Sequence, residues 1–234
     1  DNSLGSSPSI VTPNQIVNGV PSEIVSGGTQ RGGNLFHSFR EYSVSPGKGS
    51  YFFDPSGVKF IFVRVTGNST SQIDGTLGVL GGNANLFLIN PKGIHFGENA
   101  RLDLDGSFTA STADRLLFRG YEFSASTPRD VPTLSIEIPI GLGFNGGNGD
   151  ITVSNKGFTI YQPSGSGKIP PTALEHPPSG LSVKPGKTLS LIGSDITFKG
   201  GVINLNSGNI NIGGVRKGIV NIFNTESGID YKFD

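Results

Sequence analysis

Two aspartates stand two residues apart in the stretch RLDLD, Asp103 and Asp105. On an extended strand that spacing puts both carboxylates on one side. Such a pair could bind calcium or act on a sugar polymer. Alternation explains it more simply: Leu102 and Leu104 fill a core while the aspartates face water. The histidines, His37, His95 and His176, are far apart in sequence and show no ligand spacing. GLGFNG (141–146) matches a dinucleotide fingerprint, but a strand pattern follows it where a helix is required, so it reads as a turn. GLSVKPGKT (180–188) falls short of a phosphate loop on spacing and context, with Leu181 where a glycine is needed. Asn68-Ser69-Thr70 is formally a glycosylation acceptor. No Ser/His/Asp constellation emerges.

The elements that must carry these residues are short strands. In LIGSDITFKGGVINLNSGNINIGGV (191–215), Ile196, Ile203 and Ile210 recur every seven residues. Within a unit the alternation is strict: Ile203 and Leu205 are apolar, Asn204 and Asn206 polar. Period two denotes a half-buried strand, and the glycine and serine pairs between units are corners. Three units make a repeat of roughly 21 residues, in the range of solenoids. In 85–112, Leu86, Ile94, Leu102 and Phe108 open strands with nearly the same rhythm, and Asn90-Pro91-Lys92-Gly93 forms one of the corners. These strands are successive faces of a coil that stacks on itself as parallel sheets. Leu86, Phe87, Leu88 and Ile89 are apolar on both faces, so one face needs cover from outside the coil. The aromatic run 51–65, read as a hairpin around Asp54-Pro55-Ser56-Gly57, or the N-terminal segment is expected to supply it. Residues 1–34 read as an irregular start, and STADRLL (111–117) as one helical turn. The rhythm is expected to continue through Ile219–Phe223, with an effector region beyond residue 234.

Composition narrows the function. The chain has 234 residues, a formal net charge of zero and only 15% charged residues. A nucleic-acid surface needs a basic excess. The 36 glycines and 15 prolines fit many tight turns, and 34% hydrophobic content with 16 phenylalanines supports a packed core. Without cysteine there is no disulfide, thiol catalysis or Cys-based zinc site. No apolar run is long enough for a membrane-spanning helix. Without methionine, Asp1 is not an initiator, so a processed or recombinant fragment is expected, with any signal peptide already gone.

Five ordered blocks carry a resemblance: NLFHSFREYSV (34–44), FVRVTGNSTSQIDGTL (62–77), ANLFLINPKGIHFGENARLDLDGSFTASTAD (84–114), PIGLGFNGGNGDITV (139–153) and LSVKPGKTLSLIGSDITFKGG (181–201). Together they resemble the N-terminal secretion domain of filamentous haemagglutinin-like exoproteins, the two-partner-secretion (TPS) domain, with the cyanobacterial members nearest in pattern. The resemblance implies an all-β, right-handed parallel β-helix, a three-sided solenoid with an N-terminal cap and extra-helical β-hairpin or strands. It implies a secretion signal without enzymatic activity, cofactor or metal. It also implies recognition by the periplasmic, POTRA-type domains of an outer-membrane transporter, then folding at the cell surface. The family corner Asn-Pro-Asn-Gly-Ile is matched by Asn90, Pro91, Gly93 and Ile94, with Lys92 departing. The same resemblance points to Asn34, Leu35, Phe36, Phe39, Asp74 and Gly75 as additional motif positions. The family's Asn-Pro-Asn-Leu motif is absent as such.

The resulting expectation is one secretion domain over 1–234. About 1–50 form a cap region, about 51–65 an extra-helical hairpin, and about 66–234 the coils with an excursion near 158–180. The isolated domain is expected to be monomeric, secreted through periplasm and outer membrane, neither membrane-spanning nor bound to nucleic acid. A polysaccharide lyase or hydrolase on the same scaffold, and a glycan-binding adhesion module, are the competing readings.

Overall fold

The computed structural model describes residues 1–55, 57–132, 136–156, 180–225 and 228–233, and no described residue is helical. The chain opens with an antiparallel hairpin, β1 (Ser9–Val17) and β2 (Val20–Gly27), and then β3 (Thr29–Arg31) turns back on β4 (Asn34–Phe39). Winding is regular from there. β5 (Gly49–Phe53), β6 (Phe60–Val65) and β7 (Ser71–Ile73) make one turn; β8 (Thr76–Leu80), β9 (Asn85–Ile89) and β10 (Ile94–Phe96) make the next. β11 (Arg101–Asp103) and β12 (Phe108–Ser111) start a third. The chain then leaves through β13 (Arg115–Phe118), β14 (Tyr121–Ser124) and β15 (Gly141–Phe144), and β16 (Ile151–Ser154) supplies the missing face. β17 (Lys187–Gly193), β18 (Ile196–Lys199) and β19 (Gly208–Gly214) continue the coil before β20 (Gly218–Thr225) and β21 (Gly228–Phe233) depart from it.

Three sheets form the walls of the helix: β1-β2-β5-β8-β11, β3-β4-β6-β9-β12-β17-β19 and β7-β10-β16-β18. From β2 and β4 onward every pairing within these walls is parallel. The fold is thus a parallel β-helix, and Leu86, Ile94, Leu102 and Phe108 lie at or next to the starts of β9, β10, β11 and β12. Ile196, Ile203 and Ile210 also fall on three different faces, Ile203 through a parallel bridge to Leu181.

Alternation divides the seven-stranded wall into two cores. Ile61, Val63, Leu86, Leu88, Phe108 and Leu189 point into the coil with Phe52, Leu77, Ile94 and Ile151 from the other walls. Phe36, Phe60, Phe62, Phe87 and Ile89 point outward into a second core. Phe36, Phe62 and Phe87 are register partners, with centroids 5.2 Å apart at each step. Burying such a row removes large apolar areas from water.

The cover comes from an antiparallel sheet, β14-β13-β15-β20-β21, which supplies Leu116, Phe123, Leu142, Val220 and Ile222. The expected cover is therefore corrected. Residues 51–65 are not a hairpin: β5 pairs with β2 and β8, and β6 with β4 and β9, so the chain passes from one wall to the next between β5 and β6. Aromatic strands on either side of a turn look alike whether they pair with each other or with the coils above and below. Of the N-terminal segment, Leu4 joins the outer core. Residues 1–34 contain three strands where irregular chain is expected, and β2 already pairs in parallel with β5. STADRLL runs from the end of β12 into β13, where Leu116 packs into the outer core. GLGF is β15, a strand and not a turn. Ile219–Phe223 belong to β20, antiparallel to β15 and β21, so the coil rhythm ends at β19. The excursion within the described residues runs from β13 to β15. The one expected near 158–180 lies outside the described residues but for Gly180.

Candidate functional site

The corner Asn90-Pro91-Lys92-Gly93-Ile94 joins β9 to β10 and is built by its first residue. The Asn90 carbonyl accepts from Gly93 N at 3.1 Å, closing a turn with Pro91 second and Gly93 fourth. Neither Pro91 nor Lys92 has a positive φ. This is the residue order of a type I turn. The Asn90 side chain works in two directions. Its Oδ1 accepts from Lys92 N at 2.9 Å, an Asx turn that braces the corner. Its Nδ2 donates to Ser69 O and to Ser71 Oγ, each at 3.0 Å, in the coil below.

The remaining backbone groups tie the corner above and below. Ser71 N donates to Gly93 O at 3.1 Å, and Thr70 Oγ1 to Lys92 O at 3.0 Å. From the next coil, Gly149 N donates to Pro91 O at 2.8 Å, and Ile94 N reaches Asp150 O at 3.0 Å. Gly93 has φ +113°, and a Cβ there would stand 3.1 Å from Asp150 O. Gly149 lies so close that its own Cβ would be 2.5 Å from the Lys92 carbonyl. Asn90, Pro91, Gly93 and Ile94 are buried; Lys92 alone is exposed. The four matching residues are thus used up in holding three coils in register, and the one departing residue is the one that meets solvent.

The other positions expected from the resemblance are dispersed over the first coils. Asn34 is buried and donates to Glu137 O at 2.7 Å, linking β4 to the segment that precedes β15. Leu35 enters the inner core and Phe36 the outer one, while Phe39 packs against the inner core. Asp74 and Gly75 form the corner between β7 and β8, where Asp74 Oδ1 accepts from Asn99 N at 2.8 Å and Gly75 O from Arg101 N at 3.0 Å.

Asp103 and Asp105 are both tied up. Asp103 Oδ2 accepts from Tyr51 OH at 3.0 Å and from Asn18 Nδ2 at 3.1 Å. Asp105 pairs with Lys184. Burial, and then the Asp103 carboxylate, push the Tyr51 hydroxyl well above its ordinary pKa. Among the described residues no group of three or more acidic or histidine side chains is placed to hold a metal ion. His95 bridges Gln72 Oε1 at 2.8 Å and Ser154 Oγ at 2.9 Å along one wall. His37 is fully buried beside Phe52 and meets Ser9 Oγ at 3.0 Å; burial lowers its pKa to about 3. His176 lies outside the described residues.

Sequence reasoning missed Asp114, which secures the excursion where it leaves the coil. Its carboxylate accepts from Ser126 Oγ at 2.5 Å, Asn145 N at 2.7 Å and Asn148 Nδ2 at 3.0 Å, and its carbonyl from Ala125 N at 2.8 Å. Burial alone would raise the carboxyl pKa. Hydrogen bonds from Ser126, Asn145 and Asn148, helped by the Arg115 charge, hold it below its usual value. An aspartate after an apolar strand carries no such signal, because its partners come from later in the chain.

A family model described as TPS secretion domain matches residues 1–233. Among solved structures, the chain is similar to one titled as the filamentous hemagglutinin secretion domain, at 15% identity, with 90% of this chain and 98% of that chain covered and a TM-score of 0.44. No curated protein matches the sequence.

Proposed function

The chain belongs to the TPS secretion domain family, and from that premise we propose that it is the N-terminal secretion-signal domain of a larger exoprotein, of the cyanobacterial kind in its sequence blocks. Its partner is an outer-membrane β-barrel transporter whose periplasmic POTRA-type domains receive the chain before it folds at the cell surface. The domain then nucleates the β-helix, because each coil offers the next an apolar face and a row of unpaired backbone groups. It acts as a monomer and without catalysis.

The observation that carries this reading is the burial of the Asn90 corner. A motif whose matching residues are buried, with Asn90 bracing its own turn and the Asn90 amide and the Pro91 and Gly93 carbonyls bonding to neighbouring coils, is suited to shaping the coil, and its effect on secretion then runs through folding. Recognition by the transporter is assigned instead to the β1 segment, met as an extended strand before the coil forms. β1 ends its sheet and exposes Ile10, Val11 and Ile16. An extended segment whose apolar side chains the folded coil does not need for its core suits strand addition to a receptor sheet. The lyase reading finds little support in Asp103 and Asp105, which are held by Tyr51, Asn18 and Lys184.

Export of the domain with and without its cognate transporter tests the role. Transporter-dependent appearance outside the cell is expected; equal export without it would sink the proposal. Gly93→Val tests the corner. The strained backbone is expected to cost about 1–3 kcal/mol, with export falling alongside the urea midpoint. Normal export and stability in that variant would remove the corner from the mechanism.

A further inference from the structure

Arg64 of β6 is fully buried on the outward face of its wall. Its Nε donates to Ser38 Oγ at 2.9 Å, and its Nη1 to Ser124 O at 3.1 Å. Its Nη2 donates to Ser3 O at 3.1 Å, Ser3 Oγ at 2.9 Å and Arg129 O at 2.9 Å. The guanidinium lies 4.3 Å from the centre of the Phe123 ring. These acceptors come from three stretches far apart in sequence: the N-terminal residues, the first coil and the root of the excursion. None is a carboxylate. Burial lowers the Arg64 pKa to about 10, against the opposing influence of Tyr121 and Asp130.

A guanidinium stays charged, so it can be buried only when its donors are met. The coil alone offers it Ser38. The other acceptors arrive with Ser3 and with residues 124–129. Until both dock, Arg64 must keep its water, and the outer face of β4 and β6 cannot close dry. We propose that Arg64 is a folding gate, which makes the N-terminal segment, the first coils and the root of the excursion lock together in one step. On the secretion reading, which this extension alone rests on, a chain emerging from its N-terminus would not lock its first coils until residue 129 had followed.

Native-state hydrogen exchange of the complete chain in low urea, with no transporter present, tests the gate independently of secretion. Peptides covering 34–39, 60–65 and 121–127 are expected to share one opening event, with the same urea dependence. In Arg64→Met, whose apolar side chain still packs on Phe123 and needs no acceptors, the coupling is expected to break. Exchange in 121–127 should then rise at least about tenfold while 34–39 and 60–65 stay within about threefold of wild type. Independent opening of 121–127 in the wild-type protein, or a common opening that persists in Arg64→Met, would overturn the proposal. If Arg64→Met does not fold, the wild-type measurement decides alone.

Discussion

Asn90 supports its own turn with one end of its amide and the coil below with the other. Asn90→Ala leaves Lys92 N without its acceptor and Ser69 O without its donor. Unmet polar groups at a buried site cost about 1–3 kcal/mol, so the urea midpoint of that variant is expected to fall accordingly. Lys92→Asn, which restores the family residue at an exposed position, is expected to stay within about 0.5 kcal/mol. Equal stability of the two variants would refute the account of the corner. His37 gives a residue-scale pH dependence. Its folded pKa, about 3, lies below the ordinary value of 6.5. The unfolded chain therefore binds a proton first, and stability is lost as pH falls below 6.5. Between pH 6 and 5 the loss approaches about 1.4 kcal/mol per pH unit. Urea titrations of wild type and His37→Leu across that window should show a slope in the first and a flatter line in the second.

Among the elements, the seven-stranded wall and the antiparallel sheet over it behave as one sandwich fastened at its edge by Asp114. Phe62→Ala removes the middle of the outward aromatic row and is expected to cost about 3–5 kcal/mol, read by thermal or urea unfolding. Asp114→Ala removes three acceptor contacts at the exit and return of the excursion. It is expected to cost about 2 kcal/mol and to speed exchange in 115–124 and 141–144 more than in β9. Because the folded carboxyl titrates below its usual value, its contribution is present above the ordinary carboxylate range and lost as pH drops through the folded pKa. Uniform exchange changes throughout the chain would contradict the fastening role. The doubly apolar β9 announced that a cover existed. It could not say which segment, because β13, β15 and β20 come from separate parts of the chain and meet only on that face.

In the whole molecule, the coil is closed at one end by hairpins and, among the described residues, open at the other. β1 with β2 and β3 with β4 turn the first coil back on itself. At the opposite end Phe198, Ile210 and Ile212 remain exposed on β18 and β19, the last strands of their walls. Stacked coils gain stability from their neighbours, so the open end is the weaker one. In native-state hydrogen exchange, β18 and β19 are expected to open before β9 and β10. The reverse order would place the stable nucleus elsewhere.

The residue order by itself determined the walls. Apolar residues at period two, broken by Gly, Pro and Asn at short intervals, allow only short strands with corners, and the corner chemistry of Asn90–Gly93 is local enough to read from its neighbours. Tertiary structure alone decided what lies outside the walls. The exchange of an expected hairpin at 51–65 for two coil faces, the use of Ile219–Phe223 in a covering strand, and the acceptors gathered by Arg64 and Asp114 all depend on segments distant in sequence meeting on one face. A hydrophobic pattern records that a surface must be buried; it does not record which surface will bury it.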